Sequence, residues 1–323
     1  MIWLLLVFLS AFLVTLYLTP VFIKKLKAAG VVGVDIHKED KTSIPEMGGL
    51  VILFGLATGV FLSIPFFSNG LTFLFAAFLT ILITGIIGIC DDLFGIRQKK
   101  KAWLPVFAAI PLMVTQAGVS TMNLPGYGPI EFGILYPLII IPLAITVASN
   151  ATNMLAGYNG LEAGLGLIAA VFVGIGGLLI GRVEVSILMF ALAGGLLAFL
   201  KFNYYPAKIF MGDVGTFTIG SAIAAAVIIG NMEMVGIIAL GAFIINGVIT
   251  IFDLVRGKPI KKFSGVKKGL LIPPKKKYVY TLYYYIESIT KCTEKRLVHI
   301  VLLIGLVFGL LSLLFLLLQF YWI

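Results

Sequence analysis

The chain has 323 residues, 60% of them hydrophobic and 12% charged, with a net charge of +10. That composition is too apolar for an ordinary water-soluble domain, and two cysteines, Cys90 and Cys292, are too few for a disulfide framework. The positive charge alone would allow a nucleic-acid partner, but the placement of the charges favours membrane orientation, with no nucleic acid.

Apolar runs of a length that crosses a bilayer recur from end to end. The first, Ile2 to Leu18, lacks a basic leader and a small-residue cleavage site, and lysines follow it, so it reads as a retained helix. Ten spans are predicted, at about 2–19, 48–67, 71–90, 102–118, 134–149, 161–181, 185–200, 214–230, 234–252 and 298–322. The expectation is an all-α integral membrane protein, one polytopic domain over residues 1–323, with both termini on the same side.

The segments between spans fall into two sets. One holds Lys24, Lys25, Lys27, Lys38, Lys41, Arg97, Lys99 to Lys101, Lys201, Lys208 and every Lys and Arg from Arg256 to Arg296; the other holds only Arg182. With 23 of the 24 basic residues in one set, the positive-inside rule places that set in the cytosol and both termini outside. Asp91, Asp92, Glu162 and Asp213 lie at cytosolic helix ends, while Glu131, Glu184 and Glu233 are dispersed among the outer loops. Charges gathered on one face, rather than at mid-bilayer, favour a shallow cytosolic site over a transporter's central one.

The stretch Asn150-Ala-Thr-Asn-Met-Leu-Ala-Gly-Tyr-Asn-Gly-Leu-Glu-Ala-Gly164 interrupts two apolar runs with asparagines, glycines and a glutamate. Polar groups at such a depth are costly unless they line a water-filled site. Asn150, Asn153 and Asn159 exchange no protons at neutral pH, but their amide oxygens can ligate Mg²⁺. Glu162, in a first helical turn, is favourable to the helix dipole without any further function.

Asp91-Asp92 ends the third predicted span. Two carboxylates at the negative end of a helix dipole repel it and each other, so something cationic must compensate, and Gly95-Ile-Arg-Gln-Lys-Lys-Lys101 or a divalent metal would supply it. Asp213, in Phe210-Met-Gly-Asp-Val-Gly-Thr216 before the eighth span, reads most plainly as a helix N-cap. Its sharper reading is a Mg²⁺ ligand at a helix N-terminus that also draws phosphate.

The longest polar segment, about 253–296, is a basic cytosolic loop with Lys267-Lys268 and Lys275 to Lys277. Val279, Leu282, Tyr283 and Ile286 share one helical face within it, which predicts a short interfacial helix, either an anchor on anionic lipid or a substrate contact. His37 and His299 are isolated and read as surface or interfacial; zinc, Walker and dinucleotide motifs are absent. Glycine pairs such as Gly176-Gly177 and Gly194-Gly195 read as helix-packing points, within one chain or between the copies of a homodimer. Carboxylates, asparagines and lysines on one membrane face suit a substrate with several phosphates, handled through Mg²⁺, and the apolar bulk suits a lipid co-substrate.

At these residues the chain resembles the polyprenyl-phosphate N-acetylhexosamine-1-phosphate transferase superfamily. Within it the 150–164 stretch is most similar to the archaeal and eukaryotic dolichyl-phosphate GlcNAc-1-phosphotransferases. The likeness extends to Ile44-Pro-Glu-Met-Gly-Gly49, Asp91-Asp92 through Lys101 and Pro105, and Gly212-Asp213, and the family's ten-helix fold agrees with the predicted spans. The resemblance implies that Asp213 and Asn153 coordinate Mg²⁺ (with Mn²⁺ as an alternative), that Lys101 contacts the pyrophosphate, and that Asp91 or Asp92 acts on the lipid phosphate. It implies that Asn159 hydrogen-bonds the uracil between Gly157 and Phe210, that Glu46 reaches the ribose, and that Asn150 and Glu162 support the site from behind. The chain departs from the family in its last cytosolic loop, which contains no histidine; Lys267, Lys268 and Lys275 stand where the family's His/Arg motif would meet the sugar phosphate.

The implied activity is transfer of N-acetylhexosamine-1-phosphate, GlcNAc-1-phosphate in the first instance, from a UDP-N-acetylhexosamine to a dolichyl-type polyprenyl phosphate in the bilayer of the plasma membrane. An undecaprenyl-phosphate GlcNAc or MurNAc-pentapeptide version is the enzymatic alternative, a nucleotide-sugar or anion transporter the other, and a catalytically dead scaffold a third.

Overall fold

Apolar runs in this chain become helices because a helix satisfies every backbone N–H and C=O internally, as a lipid environment requires. The computed structural model describes residues 2–38, 41–67, 69–124, 127–260 and 264–321, so Lys261 and Lys262 of the basic loop lie outside the described residues. Eight helical stretches are long and apolar enough to cross a membrane: Trp3–Ala28, Gly49–Phe66, Leu71–Phe94, Tyr136–Met154, Leu161–Leu179, Val183–Asn203, Gly212–Gly230 and Glu294–Gln319. A ninth crossing is available in a pair, Glu233–Ala239 and Gly241–Val255, bent by 73° at Leu240. The fold is therefore that of a multi-pass, mostly helical membrane protein.

In chain order the elements are α1 (Trp3–Ala28), β1 (Val32–Val34), β2 (Ser43–Pro45), α2 (Gly49–Ser63), α3 (Leu71–Phe94), α4 (Gln98–Trp103), α5 (Pro105–Ala108) and α6 (Ile110–Val114). Then come β3 (Thr121–Leu124), β4 (Gly128–Glu131), α7 (Ile141–Met154), α8 (Leu161–Leu179), α9 (Val183–Asn203) and α10 (Gly212–Gly230). The last are α11 (Glu233–Ala239), α12 (Gly241–Val255), β5 (Gly265–Lys267), β6 (Leu270–Ile272), α13 (Leu282–Ile289) and α14 (Glu294–Tyr321). The strands form three separate antiparallel hairpins, β1–β2, β3–β4 and β5–β6.

Where one continuous span was expected at 102–118, the structure has the three short helices α4 to α6. Pro105 and Pro111 cause the breaks, because a proline lacks the N–H that an unbroken helix needs and crowds the preceding turn. The broken segment still runs the length of α10: Lys101 pairs with Asp213 at one end, and the Val119 N–H donates to Asn231 Oδ1 (2.5 Å) at the other.

Helix α10 is the axis of the molecule, 89% of its apolar window being buried against 28% for α1 and α14. Its small residues (Gly215, Gly220, Ala222, Ala224 to Ala226) let α3, α7 and α2 approach closely. A Cβ on Gly88 of α3 would lie 2.5 Å from Val214 Cα, so the α3 and α10 backbones touch there.

The two ends of the bundle differ in charge. Lys24 to Lys27, Arg97 to Lys101, Lys201 and Lys208 lie with the α10 N-terminus, and among the described residues Arg182, between α8 and α9, is the one basic side chain at the far end. The β1–β2 hairpin is fastened to the basic end: Pro45 C=O accepts from the Phe210 N–H (2.7 Å), and Phe210 C=O from the Gly48 N–H (2.9 Å).

The basic loop is folded onto the bundle. Val279, Tyr280, Tyr283 and Tyr284 are each at most 6% exposed, so one face of α13 and the turn before it pack against protein, while Tyr285 and Ile289 stay exposed on the other face. Polar anchors fix it there: Asn246 of α12 accepts from the Leu282 N–H (2.9 Å), and Asp253 from the Tyr280 N–H (3.0 Å).

Candidate active site

At the basic end the termini of α3, α8, α9 and α10 enclose a cavity of about 480 Å³ with the β1–β2 hairpin and the 155–160 loop. Of the residues singled out in the sequence, Glu46, Asp91, Asp92, Gly157, Asn159, Glu162, Phe210 and Asp213 line it. These positions run from Glu46 to Asp213, and the packing of the helices brings them to one place.

The two adjacent carboxylates on α3 have separate partners. Asp92 turns to α10, where Oδ1 accepts from the Asp213 N–H (2.8 Å) and Oδ2 from the Val214 N–H (3.1 Å). It thus caps α10 across the helix interface, at the positive end of that helix dipole. Gly212, at φ +72°, makes the entry turn, and a Cβ there would meet Asp92 Oδ2 at 2.6 Å.

Asp91 turns instead to Lys101, whose ammonium lies 2.6 Å from Oδ2, while Oδ1 accepts from the Ile96 N–H (2.6 Å). The negative end of α3 is therefore relieved by a helix N-terminus on one side and a lysine on the other. Asp213 does not cap its own helix through its side chain, so the plain N-cap reading of this residue is replaced by the capping action of Asp92. The Asp213 carboxylate is left facing the cavity.

Lys101 reaches Asp213 as well as Asp91. Burial alone would lower its pKa, but the paired carboxylates raise it above the ordinary lysine value, so the ammonium stays charged. Asn153 does not line the cavity but donates from Nδ2 to Asp213 Oδ1 (2.5 Å) and Thr216 Oγ1 (2.9 Å). Asn150 lies further back and donates to Ala102 C=O (3.0 Å), tying α7 to the residue beside Lys101. Burial raises the Glu46 pKa, with the Asp213 charge adding to it. Among the described residues no group of three or more His, Cys, Asp or Glu side chains is placed to hold an ion by itself.

The second half of the cavity is made by the 155–160 loop. Gly157, at φ +142° with open space where a Cβ would stand, donates its N–H to Glu162 Oε1 (2.6 Å). Glu162 therefore shapes the loop instead of merely favouring the α8 dipole. Asn159 is buried, its Nδ2 donating to Asp35 Oδ2 (3.1 Å) and its N–H to Glu294 Oε1 (2.9 Å).

Sequence reading missed Asp35, Tyr158 and Asn203 in the lining and misjudged His37. His37 is 7% exposed rather than superficial, and its ring stacks on Tyr158 at 4.4 Å between centroids. Burial lowers its pKa to about 4 against a weaker raising effect of Asp35, which makes it a neutral imidazole. Its only sequence signal was nearness to Glu46, because β1 and β2 are too short to show alternation. His299 is exposed beside Tyr204, as expected of a surface residue.

The basic loop reaches the cavity through acids rather than lysines. Glu287 of α13 accepts from Tyr158 Oη (2.7 Å) and Ser264 Oγ (2.6 Å). Lys267, Lys268 and Lys275 are exposed and do not line the cavity.

The arrangement holds three carboxylates, a charged lysine and an amide at one end, and a polar loop with aromatic neighbours at the other. It is suited to a molecule with an anionic, multiply charged middle and a planar hydrogen-bonding head. Comparison with known proteins agrees. Residues 74–231 match glycosyl transferase family 4. The chain is 36% identical over 227 residues to a Sulfolobus acidocaldarius protein provisionally named UDP-N-acetylglucosamine–dolichyl-phosphate N-acetylglucosaminephosphotransferase, covering 68% of this chain and 69% of that protein. A Saccharolobus solfataricus protein of the same name is 36% identical over 219 residues, 67% of this chain and 68% of its own. The phospho-N-acetylmuramoyl-pentapeptide-transferase of Halalkalibacterium halodurans is 32% identical over 285 residues, 81% of this chain and 86% of its own. By these relatives and by the motifs that meet in the cavity, the chain belongs to glycosyl transferase family 4, among the polyprenyl-phosphate N-acetylhexosamine-1-phosphate transferases.

Proposed function

We propose that the protein transfers GlcNAc-1-phosphate from UDP-GlcNAc to a dolichyl-type polyprenyl phosphate, releasing UMP. The observation that carries this reading is the meeting of Asp91, Lys101, Asn153 and Asp213 at one end of α10, beside a loop whose asparagine is held in the cavity wall. The names of the two archaeal relatives supply the donor and acceptor. In the reaction an oxygen of the lipid phosphate attacks the β-phosphorus of the donor, and the bond from that phosphorus to the α–β bridging oxygen breaks, leaving UMP.

This chain's own residues serve that transfer by position and charge. Lys101 sits where a pyrophosphate would otherwise meet Asp91 and Asp213 unscreened, and Asn159 with Gly157 faces the nucleoside. Asp91, whose Oδ atoms are held by Lys101 and the Ile96 N–H, is the carboxylate in place to orient the lipid phosphate. Asp213 and Asn153, adjacent and bearing hard oxygen donors, fit Mg²⁺, which takes few protein ligands and leaves its other positions to water and phosphate. Bound there, the ion would neutralise pyrophosphate charge.

The membrane placement belongs to the same proposal. The positive-inside rule favours a cytosolic basic end, and the membrane we propose for it is the plasma membrane. The α4–α6 segment, matched at both ends to the 19-residue α10, supports its being a tenth span with both termini outside.

A substrate panel tests the reading: purified protein in detergent, UDP-GlcNAc and other UDP-sugars against dolichyl and undecaprenyl phosphates, with and without Mg²⁺. UMP release and a lipid-linked sugar from UDP-GlcNAc with dolichyl phosphate, abolished by a chelator, are expected; absence of UMP release with every pair would overturn it. The Halalkalibacterium relative, matched over more of the chain, favours a second donor, UDP-MurNAc-pentapeptide, and the same panel distinguishes the two.

A further inference from the structure

Four residues from separate parts of the chain form a closed ring at the wall of the cavity. Lys38 Nζ donates to Asp35 Oδ2 (2.7 Å) and Glu294 Oε2 (3.2 Å). Asn159 then bonds both acids, its Nδ2 to Asp35 Oδ2 (3.1 Å) and its N–H to Glu294 Oε1 (2.9 Å). Asp35, Asn159 and Glu294 are 3%, 4% and 4% exposed. The Lys38 ammonium also lies 4.3 Å from the centre of the Tyr205 ring, in the turn between α9 and α10.

Two buried carboxylates in contact with one ammonium would not be kept near a polar cavity for stability alone, because desolvation offsets most of the attraction. What the ring does is fix geometry. Asn159 has three rotatable or exchangeable features that a ligand would feel: its backbone direction, its side-chain torsions and the orientation of its amide. Glu294 sets the first. Asp35 sets the other two, since its Oδ2 accepts from the amide nitrogen and so turns the amide oxygen the other way. Lys38 holds both acids in place.

We propose that Asp35, Lys38 and Glu294 are positioning residues for the donor nucleotide, acting through Asn159 and touching no reacting atom. The inference rests on the reading of Asn159 as the residue that faces the nucleoside. It makes the start of α14 and the turn after β1 part of donor specificity, although neither carries a reacting group. It also sets the expected kinetic pattern: loss of the ring weakens nucleotide affinity and leaves the transfer step, at Asp91 and Asp213, running.

The test measures UMP binding by calorimetry, with no lipid acceptor present, alongside steady-state kinetics. Glu294→Leu removes the acceptor for the Asn159 N–H and the partner of Lys38; Glu294→Gln keeps the acceptor alone. For Glu294→Leu, UMP affinity is expected to fall about tenfold or more, as for one lost charged hydrogen bond, with KM for the UDP-sugar rising in step and kcat within about twofold. Glu294→Gln should recover part of the affinity. Asp35→Asn, nearly isosteric, gives a second reading should the leucine variant not fold, and the same loss of affinity is expected. Unchanged UMP affinity in Asp35→Asn and Glu294→Leu, or a fall in kcat at constant KM, would overturn the ring's role. Failure of the wild-type protein to bind UMP would instead overturn the functional reading beneath it.

Discussion

Asp92, on the last turn of α3, accepts hydrogen bonds from the backbone N–H groups of Asp213 and Val214 at 2.8 and 3.1 Å, and so holds the first turn of α10 in place. Of the two neighbouring acids it is the one committed to architecture. The expected outcome is that Asp92→Ala lowers thermal stability by an amount typical of a lost helix cap, about 1–2 kcal/mol, and slows turnover because Asp213 is displaced. Asp92→Asn, which keeps one acceptor oxygen, should retain more of both. Thermal unfolding and kcat measured on the pair check this; equal stability of Asp92→Ala and wild type would remove the capping role.

Asp213 carries the opposite expectation. Its side chain faces Lys101 and Asn153 and caps nothing, so Asp213→Asn should insert and unfold like the wild type while sugar-phosphate transfer falls by at least about two orders of magnitude. Near-normal turnover in this variant would sink the assignment of the site.

Lys101 joins the two roles, since its ammonium contacts both Asp91 and Asp213. Lys101→Met leaves two carboxylates facing each other without a cation. A fully buried pair broken this way costs roughly 3–5 kcal/mol; the cavity admits water, so the expected loss lies at or below the low end. Added Mg²⁺ should restore part of the lost thermal stability by standing in for the ammonium. A variant whose unfolding temperature ignores Mg²⁺ would argue against a metal at Asp213.

Most of the apolar spans, the charge asymmetry and most of the acid and amide positions were legible in the sequence because each is a local property: an apolar run, a lysine cluster, an asparagine where lipid forbids one. What was not legible is who partners whom. Asp91 and Asp92 are neighbours in the chain, yet one pairs with Lys101 and the other with α10, because successive residues on a helix point about 100° apart. Asp213 read as a cap because an acid before an apolar run usually is one; the cap came from another helix. Asp35 and Glu294 gave no signal and His37 only its nearness to Glu46, since their meeting with the 155–160 loop depends on how a short hairpin and the last helix dock. The α13 amphipathic face was legible as a face, but lipid and substrate stayed equal alternatives for what meets it, because periodicity shows that one side is apolar without showing what covers it.

His37 makes stability depend on pH. Burial lowers its pKa in the folded protein to about 4, below the 6.5 of a free histidine, so between these values the unfolded chain binds a proton that the folded one refuses. The His37 contribution to stability then rises with pH across that window and is lost on acidification from about 6.5 toward 4, by on the order of 2–3 kcal/mol. Thermal unfolding in detergent at pH 5 and 7.5 should show the drop, and His37→Phe, which keeps the stack on Tyr158 without titrating, should show less of it. An equal drop in both proteins would assign the acid sensitivity elsewhere.

Gly88 tests whether the site depends on the closeness of α3 and α10. One helical turn before Asp92, it leaves room for a Cβ only 2.5 Å from Val214 Cα and 2.7 Å from Asp213 O. Those are backbone atoms of the most deeply buried helix, so they have nowhere to move, and Gly88→Ala must push the two helices apart. Overpacking of this kind costs about 1–3 kcal/mol, and the separation should also draw Asp92 away from the α10 amides, so stability and turnover fall together. Gly247→Ala is the control: it too is a buried glycine within a helix, but a Cβ there meets nothing closer than 4.0 Å, and the gain in helix propensity should offset any crowding. Turnover within about twofold of wild type for Gly247→Ala, with a loss of about tenfold or more for Gly88→Ala, is the expected contrast; normal turnover in Gly88→Ala would show that Asp92 reaches α10 without the close approach.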